Sequence, residues 1–320
     1  MIFASPFKLS KCGILGMNMR NLDFVLRYNP RHLYPNVDNK LKTKLLAEEA
    51  GIPVPKLYGV IQFQHQIKHL PELLENYDQF VVKPSKGSGG KGILVISGKQ
   101  RGTFVKTSGS LICQKELNRH VSNIVSGLYS LGGQIDSAMI EYYVNFYPLF
   151  KDISYQGVPD IRVLLFQGYP AMAMIRLPTR LSDGKANLHQ GAVGVGINIQ
   201  SGRTLGGVYH NRPIENHPDT GISFKGISIP DWHGLLILAA RCYEITGLGY
   251  MGIDIVLDND HGPMILELNA RPGLAIQVAN NAGLVPRLRK IEKMASQKLD
   301  IEQRVCFAQS NFDGDPLQHF

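Results

Sequence analysis

A chain of 320 residues, 44% hydrophobic and 19% charged, is long enough for one large multi-lobed domain or two smaller ones. Its ordinary apolar fraction excludes a disordered chain, and no stretch approaches the roughly 18 consecutive apolar residues of a membrane span. Lys and Arg number 34 against 26 Asp and Glu, a formal charge of +8, which favours an anionic partner without separating nucleic acid, nucleotide and acidic peptide.

In chain order, residues 1–36 read as a basic lead-in whose later half, holding Pro30 and Pro35, is extended or turn-like. The start lacks the apolar run of a secretory signal. The four cysteines, Cys12, Cys113, Cys242 and Cys306, form no C-x-x-C pair. Cys113 and Cys242 sit among apolar residues and read as buried thiols, so the expected compartment is the reducing cytoplasm. Asp38 reads as the N-cap of a helix carrying Leu41, Leu45, Leu46 and Ala50, stopped by Gly51 and Pro53. Strands are expected over 80–83, 93–96, 111–116 and 138–144. Two hairpins pair 161–166 with 171–176 and 251–257 with 264–269. A helix is expected over 231–246 with Gly247 as its stop. Residues 177–222 read as a long loop of the functional or mobile kind, and the tail beyond about 300 as peripheral. The pattern is α+β with hairpins, not a regular βαβ alternation.

Gly87-Ser88-Gly89-Gly90-Lys91-Gly92 matches G-x-G-x-x-G, but it leads into a strand, whereas the dinucleotide fingerprint must open a helix. No Gly-Lys precedes Ser or Thr, so the other familiar phosphate loop is excluded too. What remains is strand, glycine loop, strand, with Lys83, Lys86 and Lys91 supplying charge. Such a loop can close its backbone N–H groups over phosphates, or it is simply a solvated hairpin end. On the last hairpin, Glu267 and Asn269 share a face, and a four-residue loop at 259–262 puts Asp254 opposite Glu267. Facing carboxylates repel unless a cation lies between them, and two carboxylates plus an amide oxygen are the hard ligands magnesium takes. Three solvated polar residues on an open sheet face are the alternative. His65 and His69 have the spacing of a zinc helix but lack its glutamate and a third ligand, so surface histidines are expected. The basic residues do not form a stripe interleaved with aromatics, so no nucleic-acid partner is expected.

The order of these features resembles the ATP-grasp ligases. It comprises a lysine opening a helix, Lys-Pro at a strand end, the glycine loop, Glu-Tyr-Tyr-Val, Asp-Ile-Arg-Val, Asn-Leu-His-Gln-Gly and Glu-Leu-Asn-Ala-Arg-Pro-Gly. The resemblance is greatest to the RimK-related, α-L-glutamate ligase-like branch, and it runs from about Asp38 to Gly273. It implies an ATP-grasp fold, two α+β lobes gripping ATP, over 37–288: a lid-bearing lobe at 37–140 and a metal-bearing lobe at 141–288. The lead-in precedes these lobes, and a C-terminal helix and tail, 289–320, follow them. It further implies that Lys40 and Lys83 reach the ATP phosphates, that Lys86, Gly87, Ser88, Gly89 and Gly90 belong to the closing lid, and that Glu141, Tyr142 and Val144 receive the adenine. Asp160 is implied near the ribose, and Lys185 and Asn187 near the terminal phosphates. Asp254, Glu267 and Asn269 are implied as the ligands of magnesium or manganese. Arg162 and Arg176 are the spare cations for a substrate carboxylate or a tetrahedral intermediate, with a surface ion pair as the alternative. His189 is a substrate contact.

The implied chemistry joins a carboxylate to an amine through an acyl phosphate, with glutamate or a similar amino acid among the substrates and an acidic acceptor among the partners. Three features depart from the resemblance. Only about 36 residues precede the first nucleotide lysine, Lys185 stands where arginine is usual, and Arg271 stands where the ribosomal-protein-modifying ligases have a small residue. An arginine there favours a further anionic group on the substrate, so Arg271 joins both the catalytic and the substrate sets. A phosphotransferase of the same fold and a non-catalytic nucleotide-binding interaction protein are the rival readings.

Overall fold

The computed structural model describes residues 5–87, 89–294 and 296–313, which form two compact units. The smaller comprises Asn39–Leu45 and Val54–Asn145. The larger comprises the described residues up to Asp38, Leu46–Pro53 and those from Phe146 onward. The lead-in and the C-terminal segment, expected to stand apart from the lobes, thus belong by packing to the larger unit.

The smaller unit is a six-stranded antiparallel sheet in the order β1-β6-β2-β3-β4-β5, built from β1 (Leu57–Ile61), β2 (Phe80–Pro84), β3 (Leu94–Gln100), β4 (Thr103–Lys106), β5 (Leu111–Ile112) and β6 (Ala138–Glu141). Phe80, Val82 and Ile96 meet Leu117, Val121 and Ile124 of the helix Gln114–Val125 in one apolar core. Helical spacing of i, i+4 and i+7 places those three on a single stripe. The strand expected over 111–116 stops at Ile112 because Glu116 reaches back to accept the Cys113 N–H at 2.8 Å and starts this helix. Cys113, at the cap, is exposed and not buried; Cys242 is buried, which pushes its thiol up to about 12.

The helix Lys40–Glu49 begins one residue later than expected. Asn39 is its cap, its side chain accepting the N–H groups of Leu41 and Lys42 at 3.0 and 3.2 Å, while Asp38 closes the short helix Pro35–Asp38. Gly51, at φ +63°, ends it.

The larger unit is a seven-stranded antiparallel sheet in the order β11-β10-β9-β8-β7-β12-β13. Its strands are β7 (Asp160–Phe166), β8 (Tyr169–Leu177), β9 (Val193–Ile197), β10 (Thr204–Tyr209), β11 (Arg212–Ile214), β12 (Tyr250–Asp258) and β13 (Gly262–Asn269). Both expected hairpins form. So does the helix Trp232–Thr246, with the Asp231 side chain accepting the Gly234 N–H at 3.3 Å and Gly247 at φ +68° as its end. The expected long loop over 177–222 instead supplies β9, β10 and β11. Its alternation, Val-Gly-Val-Gly-Ile, is a strand pattern whose glycines permit close packing: a Cβ on Gly196 would collide with the backbone of Ala279 and Asn280.

The lead-in is inserted into the larger unit: its earlier part is helical, and its later half is extended at Asn29 and Pro30 and turn-like over Arg31–Leu33, as expected. Phe24 is fully buried edge-on to Phe166 at 5.4 Å between ring centroids. The Asn29 side chain donates to Tyr250 O at 2.7 Å and accepts the Tyr250 N–H at 2.8 Å, replacing a strand neighbour at the start of β12. The polar tail is likewise not peripheral, since the helix Ile301–Asn311 buries Val305 and Ala308 and packs on Trp232–Thr246 and β8. Among the described residues, no helix is long and apolar enough to cross a membrane.

Candidate active site

In the smaller unit, the last residue of β6 organises a buried charge cluster. Glu141 is 2% exposed; Lys83, from β2, stands 2.5 Å from its Oε1 and Lys44 2.7 Å from its Oε2. Burial pushes the Glu141 carboxyl up, but Lys83 and Lys44 outweigh it and hold the group below the usual carboxylate range. Lys44 also donates to the Pro55 carbonyl. Lys44 was missing from the expected set, although it lies one helical turn beyond Lys40 and therefore on the same face. Lys40 itself donates to Gly87 O at 2.7 Å, onto the glycine loop.

That loop is fastened at both ends. Asp136, 3% exposed, accepts from Ser85 Oγ at 2.6 Å, from the Lys86 N–H at 3.0 Å and from Ser130 Oγ at 2.7 Å. At the far end, Gly92 O lies 2.9 Å from His120 Nε2, and a Cβ on Gly92 would meet the Tyr129 ring. Gly89, Gly90 and Gly92 all have positive φ, the conformation that makes glycine necessary here. Ser88 lies outside the described residues. Asp136, His120 and Tyr129 carry no motif, so only the folded chain reveals them. Of the expected adenine segment, the Tyr142 N–H is already donated to Lys56 O at 2.9 Å, and Val144 is buried.

In the larger unit, strand pairing lays a charged row across one face of the sheet. Asp160 pairs with Arg176 between β7 and β8, Arg162 with Asp254 between β7 and β12, and Asp254 with Glu267 between β12 and β13. The expected facing of Asp254 and Glu267 thus holds, but by another route. The turn is one residue shorter than expected, with Asp258 paired to Gly262, and a bulge at Leu266 restores the offset before the carboxylates meet. Arg162 grips Asp254 bidentately at 2.7 and 2.6 Å, and Arg176 grips Asp160 at 2.5 and 2.6 Å while its Nη2 also reaches Asp254 at 2.7 Å. Asn269 Nδ2 is 3.2 Å from Asp254. Burial raises the Asp254 carboxyl, but Arg162 and Arg176 together hold it below its ordinary value. At Asp160, burial wins over Arg176, and with the Asp254 charge nearby the carboxyl rises to about 6. The surface ion pair considered for Arg162 and Arg176 is excluded, because both guanidiniums are nearly buried. Asp160, expected at the ribose, is held by Arg176 instead of standing free in this structure.

The remaining expected residues are not drawn into that row. Lys185 faces Asp183 at 3.7 Å with both side chains exposed. Asn187 caps the short turn Leu188–Gln190 by accepting the His189 N–H at 3.0 Å, and His189 is exposed. Arg271 lies over the Tyr34 ring, 5.0 Å from its centroid.

Among the described residues, no group of three or more His, Cys, Asp or Glu side chains is placed to hold a metal. The donor chemistry of Asp254, Glu267 and Asn269 still suits a hard divalent ion, being two cross-strand carboxylates and an amide on one face. In this structure the positive charge beside Asp254 comes from arginine.

The sequence matches the family model described as sugar-transfer associated ATP-grasp over residues 19–293. It is 24% identical over 238 residues to a probable α-L-glutamate ligase of Maridesulfovibrio salexigens, covering 74% of this chain and 56% of that protein. A probable α-L-glutamate ligase of Pseudomonas putida is 24% identical over 253 residues, covering 77% and 61%. The chain therefore spans little more than half the length of these curated relatives. Among solved structures, D-cycloserine synthetase DcsG superposes with a TM-score of 0.47 at 15% identity over 92% of this chain and 82% of that one.

Proposed function

This chain belongs to the sugar-transfer associated ATP-grasp family, and we propose that it is an ATP-dependent ligase joining a carboxylate to an amine. A substrate carboxylate oxygen attacks the γ-phosphorus of ATP and ADP leaves. The amine then attacks the acyl carbon, phosphate leaves with the C–O electron pair, and the amine's proton passes to solvent. The products are an amide, ADP and phosphate.

The observation that carries this reading is the row Arg176–Asp160 and Arg162–Asp254–Glu267 on one face of one sheet. Buried guanidinium groups of fixed geometry suit a reacting carboxylate and the tetrahedral intermediate it becomes. Asp254, Glu267 and Asn269 would hold magnesium or manganese, which supplies neutralisation of phosphate charge when bound. Lys40, Lys83 and the backbone of Lys86, Gly87, Gly89 and Gly90 contribute contacts to the phosphates, Lys185 and Asn187 further ones. The segment of Glu141, Tyr142 and Val144 takes the base, and Asp160 serves the ribose. A lid is needed because water would hydrolyse an acyl phosphate, and a loop pinned by Asp136 and His120 with glycines between is built to fold over without drifting. Glutamate or a similar amino acid is the proposed small substrate, its partner an acceptor of opposite function, and His189 and Arg271 are proposed to meet it. The site of action is proposed to be the cytoplasm.

An ADP-release screen tests this, pairing amino acids with acidic peptides and amino sugars in the presence of magnesium, with Glu267→Ala as control. Release that needs both a carboxylate and an amine is the expected result. Release supported by a hydroxyl compound alone assigns a phosphotransferase. Wild type indistinguishable from the control on every pair removes the ligase.

A further inference from the structure

A cavity of about 370 Å³ in the larger unit is lined by none of the residues of the charged row but by Arg20, Arg31, Tyr34 and Arg271 together with Leu22 and Leu26. Three features of the backbone assemble it. Residues Arg20–Val25 form a π-helical turn, wider than an α-helical one, so that residues four and five apart come to one side. The turn Arg31–Leu33 is a 3-10 helix, whose i and i+3 positions eclipse, which brings Arg31 and Tyr34 together. Arg20 Nη1 donates to Pro272 O at 3.0 Å and so ties the lead-in to the segment that carries Arg271.

The charge in this cavity is uncompensated. No acidic side chain lines it, and among the described residues none of Arg20, Arg31 and Arg271 has a carboxylate within ion-pairing distance. The row Arg162–Asp254–Glu267 is different, since every arginine there is matched. Guanidinium groups without a carboxylate partner around an open cavity, beside exposed leucine side chains, describe the complement of a carboxylate on a short carbon chain. Arg271 is two residues beyond Asn269 and Pro272 packs against Gly252, whose neighbour across the sheet is Asn269, so the cavity adjoins the row through its own chain.

We propose that Arg31 and Arg271 bind a carboxylate of the small substrate other than the one that is activated, with Arg20 as a positioning residue and Leu22 and Leu26 covering the carbon chain. The role in turnover rests on the ligase reading; binding itself does not. It also gives the basic lead-in a task that the charge count alone left open.

Calorimetric titration of the full chain with glutarate, butyrate and inorganic phosphate, without nucleotide, tests the site. Wild type is expected to bind glutarate more tightly than butyrate. Arg31→Gln and Arg271→Gln are each expected to weaken glutarate by roughly tenfold, the loss of one charge-assisted pair, and Arg31→Lys by less. Glu267→Gln is expected to leave glutarate binding unchanged, and the arginine variants to leave ATP binding unchanged. Absent glutarate binding by wild type, or binding by both Gln variants as tight as that of wild type, overturns the proposal. Phosphate binding tighter than glutarate overturns the carboxylate assignment. Glutarate binding lost in the arginine variants while no substrate pair releases ADP would sink the ligase reading and leave the pocket standing.

Discussion

In the smaller unit one carboxylate, Glu141, lies against two ammonium groups, Lys44 and Lys83; in the larger, Arg162 and Arg176 are shared by Asp160 and Asp254, with Glu267 next in line. Counted formally, two lysines less one glutamate leave +1, and two arginines less three acids leave −1. The first surplus suits phosphate, the second a metal cation. The side chains differ for the same reason. Lysine is a compact point charge on a flexible stem that can turn from Glu141 to a ligand, whereas arginine's planar fork fixes the carboxylates it holds.

The largest test of this contrast is Glu141→Gln, which leaves two buried lysines facing a neutral amide. It is expected to destabilise the smaller unit by about 3–5 kcal/mol, read by denaturant unfolding. Because the Glu141 carboxyl is held below its unfolded value, its contribution is fully present above the unfolded pKa of roughly 4.3 and is lost as pH falls through the folded one. The Gln variant should therefore unfold with a flatter acid dependence than wild type, and an unchanged profile would remove Glu141 as the acid-sensitive group. Arg176→Lys comes next: a single ammonium cannot serve Asp160 and Asp254 together, and the expected loss is about 1.5–3 kcal/mol. If Lys proves as good as Arg there, the fork geometry is not what the row requires. The smallest effect is Glu267→Gln, expected to lie within about 1 kcal/mol of wild type because it removes a like charge opposite Asp254. A large loss would mean that the Glu267 charge itself supports the fold.

Local sequence determined a good deal of this molecule. Apolar runs joined by turn residues marked β7, β8, β12 and β13; Asp231 and Gly247 bounded their helix; the failure of the glycine loop to open a helix separated it from the dinucleotide fold. A period of two put Glu267 and Asn269 on one face, but Asp254 meets Glu267 only through a shorter turn and a bulge at Leu266 that the sequence did not show. Tertiary structure decided the rest. Lys44, Asp136 and His120 act on residues far along the chain, which no local pattern records. The weakly periodic stretch over 177–222 became three strands because its glycines fit beneath a neighbouring backbone, a match visible only once both are folded. The lead-in looked basic and the tail polar by composition, yet Phe24 and Val25 of the one and Val305 and Ala308 of the other are buried, while Leu22 and Leu26 stay exposed. Composition averages over a segment, whereas burial selects one face of it.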